Sequence, residues 1–174
     1  PPTTRRERHR RSDLDSMILY FMRHGAAEPV GPAGDESRRL TEAGRDAVRR
    51  AAAAISARGP RPSRILTSPL VRARETAAIV SMTFDPPAPV QERRSLGGGV
   101  DSTTLACVVG EETQKPPEGA ALLFIGHQPD LGDLAGFLTT GDLKVAPTTD
   151  NTSGVIREVV RSTFSPGGVV AMEF

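Results

Sequence analysis

Two six-residue stretches, MILYFM at 17–22 and ALLFIG at 121–126, carry no charged side chain. A strand with one wet face alternates polar and apolar residues. Unbroken runs of strand length instead belong to strands covered on both faces. Shorter strand candidates lie between them, RILTS at 64–68 and PVQER at 89–93. Segments with helical spacing separate these runs. Thr41 is placed to cap a helix reaching about Arg58, with Ala43, Ala47, Val48, Ala51 and Ile55 on one face and Gly59-Pro60 as its stop. Ser68 is expected as the N-cap, and Pro69 as the first position, of a helix running to about Met82. A short helix around 102–109 follows, then one opened by Pro129 with Leu131, Leu134, Ala135 and Leu138 on one side. VIREVV at 155–160 and GGVVAMEF at 167–174 read as terminal strands. Strands alternating with helices predict an α/β fold, a three-layer α/β/α arrangement around a mainly parallel central sheet.

The chain of 174 residues suits one domain, placed at 17–174, and the scarcity of aromatics (4%) leaves Ala, Val, Leu and Ile to build its core. Residues 1–16 hold five arginines and almost nothing apolar, as expected of a flexible basic arm. No apolar run approaches the ~20 residues of a membrane span, and the arm lacks the apolar centre of a secretory signal. Cys107 stands alone, against both a disulfide framework and a cysteine-based metal site. A cytoplasmic location is the expectation. Nucleic acid is not an expected partner, because the body is nearly neutral and offers few aromatics for base stacking.

In doubly covered sheets, ligands gather at the carboxyl ends of the strands. Three polar stretches fall there: RHG after the first strand, TSPLVRARETA after the second and GHQPDL after the fourth. Topology can thus bring Arg23, His24, Arg72 and His127 into one cleft. Taken singly, His127 is an ordinary loop residue, and Arg72 and Arg74 are ordinary surface charges. Agreement in ligand type and in location raises the first two above that reading, while Arg74 keeps it. Guanidinium groups match a phosphoryl group with paired, charge-assisted hydrogen bonds. The N-terminus of the helix after Ser68 adds N–H groups and a favourable dipole. A neutral imidazole is a competent nucleophile toward phosphorus near neutral pH, and His24, held at a strand end, is the better placed of the two. His127, when protonated, would steady charge on the equatorial oxygens. Gly25 lets the chain turn tightly and lets a phosphate approach the backbone.

These pieces resemble the histidine phosphatase superfamily, with its phosphoglycerate-mutase-like fold, and more narrowly the SixA-type phosphohistidine phosphatases. The resemblance rests on LYFMRHGAA at 19–27, on Asp35, Arg38, Leu40, Thr41 and Gly44 in DESRRLTEAG, on Ser68, Arg72, Ala73, Thr76 and Ala77 in TSPLVRARETA, and on FIGHQPDLGDLA at 124–135. It implies that His24 is phosphorylated transiently, that Arg23, Arg72 and His127 form the phosphate pocket, and that water then releases inorganic phosphate. Gly25 and Ser68 become secondary contributors to substrate binding. No metal or other cofactor is implied.

One departure carries chemical weight. Where many members place a glutamate after the third strand, this chain reads Leu96-Gly97-Gly98. An alkoxide leaving group, whose conjugate acid is about as weak as water (~15.7), needs a dedicated acid. A phosphohistidine instead takes a proton on its ring and departs as neutral imidazole. The expected substrate is therefore a phosphohistidine on a protein. The alternatives are a small phosphorylated substrate, hydrolysed by a phosphomonoesterase of the same superfamily, or a phosphate-binding module without catalysis. Glu28, Asp101 and Asp130 are the stand-in acids within reach of the motifs. The C-terminal third matches the family pattern only loosely.

Overall fold

The computed structural model describes residues 17–113, 121–140 and 165–173. The arm at 1–16 and the VIREVV strand expectation lie outside the described residues. Within them run β1 (Ile18–Arg23), α1 (Glu42–Arg58), β2 (Arg64–Thr67), α2 (Val71–Ser81), β3 (Val90–Glu92), α3 (Ser102–Thr113), β4 (Ala121–Gly126), α4 (Asp130–Thr140) and β5 (Val169–Glu173). The five strands form one sheet ordered β3-β2-β4-β1-β5. Every pairing is parallel except β5 against β1, which is antiparallel. The expectation of a mainly parallel sheet holds, and the stretch from 167 supplies its antiparallel edge.

Side-chain alternation along the strands feeds two separate cores. Tyr20 and Met22 of β1, with Leu123 and Ile125 of β4, pack against Val48, Ala52 and Ile55 of α1 and Ala73, Ala77 and Val80 of α2. Leu19 and Phe21, with Leu122 and Phe124, pack on the other face against Leu105 and Val109 of α3 and Leu131 and Leu134 of α4. This is why the two apolar runs are unbroken: each of their faces meets a helix layer. The Phe21 and Phe124 rings stack across adjacent strands, 5.4 Å between centroids.

Three local expectations are corrected. The buried face of α1 is Gly44, Val48, Ala52 and Ile55, whereas Ala43 is exposed and Ala47 and Ala51 are only half-buried. The inward face is rotated because Gly44 sits against the Ala26 backbone, where a β-carbon would come within 2.1 Å of the Ala26 carbonyl oxygen. Ser68 does not cap α2; the cap position is Leu70, in extended backbone, with no side-chain cap. The segment after β2 stays extended, and the Ser68 hydroxyl accepts from the Leu70 N–H at 3.2 Å. Finally, α3 continues past 109 to Thr113.

Strand register positions the site. Arg23 of β1 pairs with Gly126 of β4, so the next residue on each strand is a histidine. His24 N–H donates to the Gly126 carbonyl at 3.1 Å. On its other flank, Arg23 N–H donates to Gly168 O at 3.0 Å, and Gly167 N–H donates to the Arg23 and His24 carbonyls at 3.2 and 3.1 Å. The RHG turn is therefore held from both sides.

Candidate active site

His24 and His127 leave their strands side by side, with ring centroids 5.0 Å apart and planes tilted by 59°. His24 Nδ1 lies 2.7 Å from the Gly25 carbonyl oxygen. A carbonyl only accepts, so Nδ1 carries the proton and Nε2 keeps its lone pair. Arg72 Nε donates to that same Nε2 at 3.2 Å, which fits only this tautomer. His127 is 8% exposed, and its Nε2 is 2.8 Å from the Ser68 hydroxyl. Arg72 is 7% exposed although charged, and its guanidinium finds partners within the chain. Besides His24, it donates to the Asp35 main-chain oxygen at 2.8 Å and to the Asp35 carboxylate at 3.0 Å.

Burial is the main reason the His24 imidazole is pushed down to about 4; the Gly25 carbonyl opposes this, while Arg72, Arg23 and Arg38 add to it. His127 is likewise pushed down to about 4, first by burial and then by His24 and Arg72, with Asp35 acting the other way. Both rings are thus neutral at pH 7. Arg23 acts on both imidazoles, and its own pKa is lowered by burial. Arg23, His24, Arg72 and His127 are brought together as the sequence led one to expect.

Gly25 and Ser68 each touch one of the two histidines. The Gly25 N–H donates to Thr76 Oγ1 at 3.2 Å, and Thr76 in turn donates to the Arg72 carbonyl at 2.7 Å. A β-carbon on Gly25 would come within 2.8 Å of Val48 and 2.9 Å of the Gly44 carbonyl oxygen, so its smallness serves packing on α1. Ser68 meets His127, and through it the site, rather than capping α2. Two of the three stand-in acids are occupied elsewhere. Asp101 accepts from the Thr104 N–H and hydroxyl at 3.0 and 2.8 Å, which lowers its pKa, and Asp130 accepts from the Val100 N–H at 3.2 Å. Glu28 is exposed, and its main chain pairs with Arg39 and Arg38. At the position of the missing glutamate, Gly98 runs past the His127 ring with φ +99, its β-carbon direction 3.6 Å from the imidazole. Arg38, Asp35 and Thr76 were visible only as pattern letters. For the first two the signal was their three-residue spacing, which pairs them at 2.8 Å across one turn.

A family profile for the histidine phosphatase superfamily, branch 1, matches residues 19–97. An uncharacterized protein of Picosynechococcus sp. is 37% identical over 126 residues, covering 72% of this chain and 74% of its own length. The chain belongs to the histidine phosphatase superfamily. Among solved members, the protein histidine phosphatase SixA complexed with tungstate is 29% identical, with TM-score 0.64 over 76% of this chain and 83% of that one. A protein assigned as phosphohistidine phosphatase SixA from Agrobacterium tumefaciens shares the fold with TM-score 0.68, 22% identity and coverage of 89% and 90%. The protein has the SixA-like, phosphoglycerate-mutase-like fold of these phosphatases, and phosphatase chemistry goes with the superfamily. Among the described residues, no group of three or more His, Cys, Asp or Glu could hold a metal ion, and no helix is long and apolar enough to cross a membrane.

Proposed function

We propose that the protein hydrolyses phosphoramidates, with phosphohistidine on a protein as the substrate, through a phosphorylated His24. The observation that carries this reading is the His24 ring itself. Its Nδ1 proton is committed to the Gly25 carbonyl, so Nε2 keeps its lone pair, which accepts from Arg72 Nε and would turn to phosphorus as the guanidinium takes up the phosphoryl oxygens. Nucleophilic attack needs a neutral ring, and burial keeps it neutral. Nε2 would attack phosphorus as the bond from phosphorus to the leaving nitrogen breaks. That pair of electrons stays on the substrate imidazole, which departs neutral because its other nitrogen already bears a proton. Arg72 and Arg23 would hold the equatorial oxygens. An arriving dianion favours a proton on His127, which would then add a third positive contact. Water completes the cycle: its oxygen bonds phosphorus, the P–Nε2 pair returns to His24, and inorganic phosphate leaves.

Two observations support a nitrogen leaving group. Gly98 passes His127 at the place of the family's glutamate, and Asp101 and Asp130 are tied to backbone amides. Neither arrangement offers a ready acid for an alkoxide.

The test is a panel of phosphoramidates, phosphohistidine-bearing protein and phosphomonoesters, quenched at alkaline pH. The expected result is turnover of the phosphoramidates with an acid-labile adduct on His24, and neither in His24→Ala. Turnover of esters alone would reverse the substrate assignment. Turnover surviving in His24→Ala would remove the covalent mechanism.

A further inference from the structure

The Arg72 guanidinium has five N–H donors, and three of them are already engaged within the chain, one on His24 and two on Asp35. The Asp35 carboxylate also accepts from Arg38 at 2.8 Å, so one anion spans two guanidiniums whose charges both act on His24. Its own charge reaches His127. A carboxylate therefore sits on Arg72, one of the two guanidiniums that the phosphatase reading gives to phosphate. The turn that carries it is braced. Gly34 enters it with φ +93, and the Ser37 hydroxyl accepts from Ala33 N–H and donates to Gly34 O, both at 2.8 Å. Gly31 is pressed so closely beneath that a β-carbon would lie 2.5 Å from the Gly34 carbonyl oxygen and 2.5 Å from Ser37 Oγ. The side chain itself is 61% exposed, while a separate bond from Arg72 rests on its main-chain oxygen.

We propose that Asp35 is a competing anion built into the pocket, which sets its selectivity against free phosphate. Its carboxylate holds Arg72, yields to an incoming phosphoryl group, and returns as inorganic phosphate departs. Carboxylate and phosphate present the same paired oxygens to the same fork, so one excludes the other from those donors. The substrate brings further contacts with which to displace Asp35; the product does not. Once displaced, Asp35 leaves negative charge at the mouth, which disfavours anionic neighbours of the phosphoryl group. The inference rests on reading the His24–Arg72 cleft as a phosphate site.

Isothermal titration of the full chain with inorganic phosphate, and separately with vanadate, tests it. Asp35→Asn keeps the size of the side chain and removes the charge; Asp35→Ala removes both. Binding of phosphate should tighten about fivefold in both variants, the upper scale of one exposed ion pair. Damage to the turn weakens binding, so a gain cannot arise from misfolding. Wild-type binding with no gain in either variant overturns the inference alone. A wild-type protein that binds neither anion takes down the phosphate-site reading, and this inference with it.

Discussion

At the scale of single residues, the imidazoles respond to pH in a direction that the buried pair fixes. Each titrates near 6.5 when unfolded and is pushed down to about 4 in the native site. Between those values the unfolded chain binds protons that the native chain refuses. Stability is therefore fullest above about 6.5, falls as pH drops toward about 4, and loses nothing further to these groups below it. Urea midpoints measured from pH 7.5 to pH 4.5 should show this decline, and His127→Gln should make it shallower. An unchanged slope in that variant would contradict the burial argument. His24, His127 and Arg72 were legible in the sequence because each follows a run that can only be a strand or its succeeding helix. Asp35 was not, since GPAGDES has no periodicity to say which way a carboxylate turns. Ser68 was misread because Ser-Pro imitates a helix start, whereas Leu70 keeps extended backbone (φ −68, ψ 141) and delays it.

Among the elements, α1 shows how composition blurs a facing argument. Alanines at 43, 47, 51, 52, 53 and 54 make several faces similarly apolar, so spacing alone could not choose between Ala51 and Ala52. The choice is made by Gly44, which brings the helix onto the Ala26 backbone, and Thr41 O–H donates to the Ala26 carbonyl at 3.2 Å. The RHG turn thus leans on the first turn of α1. In an exposed helix interior, Gly→Ala stabilises by about 1 kcal/mol. Here the sign should reverse: Gly44→Ala should destabilise by about 1–3 kcal/mol through overpacking against backbone. Phosphatase turnover should fall with it as Ala26 shifts beside His24. Chemical denaturation together with kcat checks both, and a stabilised, fully active variant would contradict the contact. Glu75 of α2 makes a comparable tie, accepting from Leu40 N–H and Arg39 Nε, both at 2.8 Å.

For the molecule as a whole, the sheet is a partition between two cores, and this much was legible from unbroken apolar runs at 17–22 and 121–126. The antiparallel direction of β5 was not, because GGVVAMEF reads the same whichever way its neighbour runs. Ile55 lies in one core and Leu105 in the other, with the sheet between them. Ile55→Val should cost about 0.5–1.5 kcal/mol and Leu105→Ala about 2–5 kcal/mol. Their double variant should equal the total of the two within about 0.5 kcal/mol. A larger discrepancy in urea titrations would show that the layers communicate through the strands. The Gly167 amide and the Gly168 carbonyl clasp Arg23 and His24 from the side opposite β4. During translation the histidine leaves the ribosome long before those glycines do. A nascent chain stalled short of residue 168 lacks these clasping bonds, so the RHG turn is braced on one side alone until the glycines emerge.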